Sequence, residues 1–527
     1  MRRRWIGLAL VLLGAALVAA FGMDAPFTYD DKIEVVGNPA VRADRWWLAV
    51  PAYNPWRTLV LLTYAINWQL GALEPRGYHV LSIAIHLANV GLVYRLLSGI
   101  LSARQALLAT ALWGLHPLTT ESVTYISGRS DSLVATWMLL ALERWLVDAR
   151  AANPGARWVA LGATLLAFLS KETAVALPII LWVGEWSLVA GGRARLVRWQ
   201  RYLPFGVIAA AALTLRFTWL GWPLPEVPRT ASAHFFTQAE VWTRYLQLWV
   251  VPWGQSILHP VPARVSALGI ASVVAWAGIA WWAIRAGGIA TFAFALWACC
   301  LGVTSAFVLK ETMAEHRSYL AGLGVAVFAA TRLPGGRWAW LVPAALGVAC
   351  ASRNREWSSE IRLWEGAVRQ WPASADAWFG YGDTLRFAAR WEPAEDAYLR
   401  SVELDAERPD GWVNIGITRV ERGDHVGATG AWNQALVVQP GHCAALNNLA
   451  FLQLEQGDPW AASGAFSATV RACPDDPTAH LQLGLLAADA GDQSRAIFHL
   501  RRYLEFAPEG GGRAQALSLL RRFGAVD

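Results

Sequence analysis

The chain has 527 residues, of which 55% are hydrophobic and only 16% charged, with a mean hydropathy of +0.32. That content excludes a disordered chain and exceeds what one soluble domain buries, and five cysteines in this length exclude a disulfide scaffold. The formal charge of +6 is uneven: residues 1–351 hold 28 Lys+Arg and 16 Asp+Glu, residues 352–527 hold 17 and 23, so two physically different regions meet near residue 352.

A bilayer core needs roughly 20 apolar residues of helix, and cytoplasmic turns retain arginine. The first segment, Trp5 to Phe21 after Arg2-Arg3-Arg4, fits an anchor with its amino end inside; a cleaved signal ending near Ala19-Ala20-Phe21-Gly22 is the competing reading. Ten further spans are expected at about 77–98, 104–117, 131–147, 157–170, 173–190, 202–220, 266–284, 289–309, 317–331 and 337–351. Arg95, Arg104, Arg144, Arg150, Arg157, Arg193, Arg195, Arg198, Arg201, Arg285, Arg332 and Arg337 then all fall in cytoplasmic turns. This holds when 56–72 and 240–256, with Trp56, Tyr64, Trp68, Trp242, Tyr245, Trp249 and Trp253, lie in the interface. An odd number of spans places the second region on the non-cytoplasmic side. The basic excess therefore records topology and gives no sign of nucleic acid.

The region after 352 repeats every 34 residues. Trp378, Trp412, Leu446 and His480 share one column; Gly382, Gly416, Ala450 and Gly484 a second; Ala394, Ala428, Ala462 and Ala496 a third; Tyr398, Trp432, Phe466 and Leu500 a fourth. Gly423-Asp424, Gly457-Asp458 and Gly491-Asp492 mark turns, and Pro372, Pro440, Pro474 and Pro508 mark exits. This is the tetratricopeptide pattern of paired helices. Four full repeats span about 375–508, with a lone helix near 359–371 and a capping segment near 512–523, and such an array offers a groove to a protein partner. Cys443 and Cys473 open and close the third repeat and could meet in a disulfide.

Ionisable groups at membrane depth are costly unless they serve a site. On the outer face they cluster. The first outer loop, 22–76, contains Phe27-Thr28-Tyr29-Asp30-Asp31-Lys32 and Asn38-Pro39. Later loops read His116-Pro117 through Glu121, Gly128-Arg129-Ser130-Asp131, Lys171-Glu172-Thr173, and Lys310-Glu311-Thr312 before Glu315-His316-Arg317-Ser318-Tyr319. The three lysines, against 42 arginines, all lie on this face, where each suits a phosphate or pairs with a neighbouring Glu. Asp30 and Asp31 repel each other, which raises one pKa and suits a general base. His79 and His86 share one helix face, and packing against neighbouring helices is their default role. No His/Cys spacing for zinc occurs, so no metal or cofactor is implied.

In their order, Phe27 to Asp31 with Asn38-Pro39, Gly77-Tyr78-His79 through His86 and Asn89, His116-Pro117 through Glu121, Gly128-Arg129, Lys171-Glu172-Thr173, His316-Arg317 with Tyr319, and then the repeats, the chain resembles the TMTC family of transmembrane and tetratricopeptide-repeat O-mannosyltransferases and their bacterial relatives. The resemblance implies an all-α protein: a polytopic GT-C-type membrane domain over 1–351 and a tetratricopeptide α-solenoid over 352–527. It implies inverting transfer from a polyprenyl-phosphate sugar on the non-cytoplasmic face. Asp30 matches the presumed base and Asp31 the second acidic place. The family often has Glu-Arg where this chain has His316-Arg317.

The mechanism so implied has Asp30 take the proton of an acceptor hydroxyl while that oxygen attacks C1 opposite the phosphate. Arg129, Lys171 and Arg317 are expected to match the charge of the leaving lipid phosphate. His79, His86, His116, Glu121, Asp131, Glu172 and Tyr319 are expected to line the site. The expected partners are the donor lipid, an acceptor protein in the repeat groove and the bilayer of a bacterial inner membrane, with the amino terminus cytoplasmic and the repeats periplasmic. Two rivals remain: a non-catalytic membrane-anchored scaffold, and an oligosaccharide ligase or polymerase, whose large charged outer loop is unlike the aromatic, proline-rich 221–265.

Overall fold

The computed structural model describes residues 2–189, 199–220, 229–309, 311–334, 336–507 and 510–525, with the side chains of 2–4 and 219–220 excepted. Arg193, Arg195, Arg198, Lys310 and Pro508 lie outside the described residues, as does 221–228 of the aromatic loop. The protein is all-helical, without a strand among the described residues. It forms two compact units, Met1–Gly366 and Ala367–Asp527.

In the first unit the principal helices are α1 (Arg2–Ala20), α2 (Thr58–Gly71), α3 (Pro75–Ser98), α4 (Ala103–Gly114), α5 (Arg129–Ala151), α6 (Pro154–Phe168), α7 (Leu177–Leu188), α8 (Leu203–Leu220), α9 (Ala231–Val250), α10 (Ala267–Ala286), α11 (Gly288–Ser305), α12 (Ala321–Arg332) and α13 (Leu341–Trp357). Each of the eleven expected spans falls on one of them. Among the described residues, only α3, α10 and α11 are long and apolar enough to cross a membrane by themselves, and Trp5–Ala20, Leu203–Thr218 and Ala321–Arg332 are shorter apolar helices. On α10 just 17% of the apolar window is buried, and Val274 and Trp281 point outward, as on a helix that meets lipid.

Several expected spans are shorter than drawn. α4, α7 and α12 have 12 residues each, about 18 Å at 1.5 Å per residue, against a hydrocarbon core of about 30 Å. Each adjoins a tight 3-10 turn: Pro117–Ser122 after α4, Glu172–Ala176 before α7 and Glu315–Ser318 before α12. Polar sequence displaces apolar helix at those points, and irregular backbone at such depth is tolerated where protein surrounds it. α12 packs on α4, α11 on α7 and α5 on α6, which gathers the three turns at one end of the bundle. The boundary of the unit also lies beyond the change in composition at 352, because Arg353, Asn354 and Trp357 at the end of α13 are buried within the first unit.

The second unit is a stack of helix pairs: α14 (Ala375–Phe387) with α15 (Trp391–Leu404), α16 (Pro409–Glu421) with α17 (His425–Val438), α18 (Cys443–Glu455) with α19 (Pro459–Ala472), and α20 (Pro477–Asp489) with α21 (Gln493–Phe506), closed by α22 (Arg513–Arg522). The 34-residue columns have direct causes. A Cβ on Gly416 would stand 2.2 Å from the Trp432 indole, so the small residue admits the large one. Gly423, Gly457 and Gly491 hold φ near +80°, and the next residue, Asp424, Asp458 or Asp492, caps the following helix by accepting an amide. Cys443 and Cys473 are joined in a disulfide across the third pair.

Candidate functional site

The first polar loop bends at Tyr29, whose φ of 50° is left-handed. The two neighbouring carboxylates then face different surroundings. Asp31 is 1% exposed: its Oδ2 accepts the Thr28 amide at 3.2 Å, and its Oδ1 accepts the amide and hydroxyl of Ser127 at 2.7 and 2.6 Å. Burial pushes its carboxyl up to about 7, against the bonds from Ser127 and Thr28. Asp30 is exposed. Tyr125 holds it, its hydroxyl accepting the Asp30 amide at 3.1 Å and bonding its carboxylate. Lost hydration, and then Glu311, raise the Asp30 carboxyl above the usual range, while Tyr125 and His316 pull the other way.

Three other loops meet this one. After α4, the turn through Glu121 doubles back so closely that a Cβ on Gly128 would stand 2.1 Å from the Glu121 carbonyl oxygen, which requires glycine there. Lys171, beyond α6, reaches Asp131 on the first turn of α5 with Nζ 2.6 Å from Oδ2, and both are buried. From the loop before α12, His316 donates from Nδ1 to Glu121 Oε1 at 2.6 Å, while its Nε2 lies 3.9 Å from Asp131 Oδ2. Lys171, Asp131, His316 and Glu121 thus form a continuous row. Arg317 donates to the Glu311 carbonyl at 2.9 Å and stands 3.9 Å from its carboxylate. Arg57 joins Glu34 at 3.1 Å and Glu172 at 3.7 Å, tying the first loop to the third.

A buried foundation supports the cluster. Glu315 accepts from Ser256, His259 and Gln255 at 2.7, 2.9 and 3.1 Å, with Arg353 at 3.8 Å. Burial acts to raise its pKa, and Arg353 with His259 more than offset that, holding it below the ordinary range. Trp357 stacks on Tyr125 at 5.5 Å, and Asn354 bonds Thr124.

Other expected site residues are occupied elsewhere. Arg129, expected on the lipid phosphate, is fully buried: Nε donates to Ser82, Nη1 to Thr63 and Asn67, and Nη2 to the Tyr78 carbonyl, so four of its five donors already serve the scaffold. His86 and Tyr319 bond each other at 2.7 Å inside the bundle, and His86 also donates to the Gly114 carbonyl. His79 donates to the Ala25 carbonyl, and His116 caps the Pro117–Ser122 turn while stacking on Trp249 at 4.1 Å. Lys171 pairs with Asp131 rather than with adjacent Glu172, and Lys32 pairs with Glu360 at 2.9 Å. The expected residues that meet one another are thus Glu121, Asp131, Lys171 and His316, with Arg317 beside Glu311 and Glu172 tethered through Arg57, and of these His316 and Glu311 act on Asp30. Among the described residues, no group of three His, Cys, Asp or Glu is arranged to hold a metal ion.

Sequence reasoning missed Tyr125, Ser127, Arg57, His259 and Arg353. Tyr125 and Ser127 stand inside the Glu121–Gly128 loop, where their local pattern reads as packing and turn, and Arg353 sits where composition had already turned polar.

A tetratricopeptide-repeat family model matches residues 447–511. Over 174 residues the chain is 30% identical to the protein O-mannosyl-transferase Tmtc2 of Drosophila melanogaster, covering 29% of this chain and 19% of that protein. Over 204 residues it is 29% identical to the human protein O-mannosyl-transferase TMTC4, covering 32% and 28%. The chain therefore spans under a third of these curated relatives' length. Among solved structures, pilF of Pseudomonas aeruginosa is 19% identical with a TM-score of 0.29 over 34% of this chain and 82% of that one. The tetratricopeptide protein YrrB is 16% identical with a TM-score of 0.25, over 33% and 89%.

Proposed function

We propose that this TMTC-like chain is a membrane glycosyltransferase, moving a sugar from a polyprenyl-phosphate donor to a hydroxyl of a protein or envelope acceptor, with inversion at the anomeric carbon. The observation that carries the reading is the meeting of four separate loops around one exposed carboxylate of raised pKa, Asp30. In this reading Asp30 accepts the acceptor's proton as the oxygen attacks C1, and the C1–O bond to phosphate breaks on the opposite side. Arg317 supplies positive charge beside the leaving phosphate, and Lys171 holds and neutralises Asp131. Asp31 is a positioning residue, welding the loop to Ser127 so that Asp30 stays aimed. Arg129 braces the same loop system from within and has no phosphate role here.

The first unit is assigned the transfer and the repeats the recruitment of the acceptor. The Cys443–Cys473 disulfide supports an oxidising, non-cytoplasmic location for the repeats, the periplasm for a bacterial inner-membrane protein with a cytoplasmic amino terminus. The test incubates purified full-length protein with labelled polyprenyl-phosphate sugars and envelope extract. Wild type is expected to label a product and Asp30→Asn to label none. Equal labelling by both, or none by wild type, overturns the assignment, and the second result favours a non-catalytic scaffold.

A further inference from the structure

The row Lys171, Asp131, His316, Glu121 holds more chemistry than a base at Asp30 requires. Asp131 is paired with Lys171, Glu121 is a second buried carboxylate, and the ring of His316 stands between the two. Nδ1, at 2.6 Å from Glu121 Oε1, carries a hydrogen and donates it. Nε2 is 3.9 Å from Asp131, beyond hydrogen-bond reach, and makes no hydrogen bond among the described residues. The ring is part-exposed, with 16% of its side chain accessible, and it packs 6.4 Å from Tyr125, the residue that holds Asp30. An imidazole oriented by a carboxylate at one nitrogen and open at the other is the arrangement by which a histidine delivers a proton.

We infer that His316, oriented by Glu121, is the proton donor to the departing lipid phosphate, so that the site works with an acid and a base together. This rests on the transfer proposed above. The acceptor O–H gives its proton to Asp30 while the O–C1 bond forms. The C1–O bond to phosphate breaks, its electron pair passes to the phosphate oxygen, and that oxygen takes the Nε2 proton. The lipid leaves as a singly charged phosphate, matching the charge of the phosphodiester that entered. Asp30 then returns its proton and His316 regains one through water. Lys171 keeps Asp131 neutralised, so the second carboxylate, Glu121, stabilises the protonated ring. The other ionisable groups about the ring are Asp30, which feels its charge, Tyr125, and the neighbouring Arg317 with its partner Glu311. Separating one acid from one base by their surroundings is a general solution for a single site.

The test uses the full-length protein with polyprenyl-phosphate mannose and its thiophosphate analogue, whose leaving group is less basic and needs protonation less. For His316→Gln, which keeps a hydrogen-bond donor but cannot give up a proton, kcat is expected to fall about thirtyfold with the phosphate donor. KM for that donor should change less than about threefold, and the thiophosphate should recover most of the rate. Any alkaline limb of the wild-type pH profile should be absent in the variant. Glu121→Gln should show the same pattern more weakly, with its fold verified by size exclusion. Wild-type turnover by His316→Gln, or an equal deficit with both donors, overturns the inference while leaving Asp30-dependent transfer standing. Loss of all transfer in wild type overturns both.

Discussion

The two units were built by different rules. In the repeat unit one contact recurs: a small residue against a large one, as Gly416 beneath Trp432 and Gly484 against Leu500, with a left-handed glycine and a capping Asp at each turn from Gly423 onward. Contacts there run mainly between adjacent helices, so damage stays local. In the membrane unit the critical contacts join distant loops and occur once each: Asp31 to Ser127, Lys171 to Asp131, His316 to Glu121. A solenoid adds up small equal contributions, whereas a site needs each of a few unequal contacts.

That contrast can be broken at several points. The largest effect is expected for Asp30→Asn, which should lower kcat about a thousandfold or more while leaving membrane insertion and thermal unfolding unchanged. Asp31→Ala should instead destabilise the protein by about 3 kcal/mol, because the Ser127 amide and hydroxyl lose their acceptor, and activity should fall with the fold in a paired melting and turnover assay. If the neighbours exchange these behaviours, the assignment of base and anchor is reversed. Reduction of Cys443–Cys473 should destabilise the repeats by about 3 kcal/mol, seen as faster hydrogen exchange in α18 to α21 and none in α5. Tyr125→Phe should cost roughly fivefold in kcat/KM. The lost hydroxyl bond had lowered the Asp30 pKa, so the acid limb of the pH profile should move to higher pH. An unmoved limb would show that Tyr125 only packs.

The smallest effect concerns acid. His480 Nδ1 and His499 Nδ1 share a hydrogen bond of 2.9 Å in the fourth repeat, and His480 also donates to the Pro474 carbonyl. Burial, and then His480 and Arg495, lower the His499 pKa to about 4. The unfolded chain therefore binds a proton that the folded repeat refuses. The stability so contributed is fully present above about pH 6.5 and is lost as pH falls toward 4. Hydrogen exchange of α20 and α21 should quicken over that window, and His499→Ala should abolish the dependence.

The repeats were legible because a period declares itself several times over. The helices of the membrane unit were legible by hydropathy, but their ends were not: 317–331 read as one span, yet its first residues form the turn that carries His316 and Arg317, and α12 starts at Ala321. Hydropathy averages over a window and blurs a four-residue turn at membrane depth. The site was half legible. Charges isolated in apolar sequence drew attention to Asp30, Lys171 and Arg317, but partners were beyond reach, since nothing local pairs Lys171 with Asp131 in preference to Glu172. Arg129 shows the converse. A lone buried arginine looks like a ligand until its acceptors, Ser82, Thr63, Asn67 and the Tyr78 carbonyl, are seen around it.

The weld between Asp31 and Ser127 joins residues 96 apart, and the pair of Lys32 with Glu360 joins residues 328 apart. A ribosome releases the chain from its amino end, so the loop bearing Asp30 emerges long before the groups that shape it. The nascent chain therefore carries the Asp30 loop without its anchor until Ser127 has been made, and the loop gains the Lys32 tether only when Glu360, beyond α13, has followed. The loop thus takes its final form only after almost the whole of the first unit has been made.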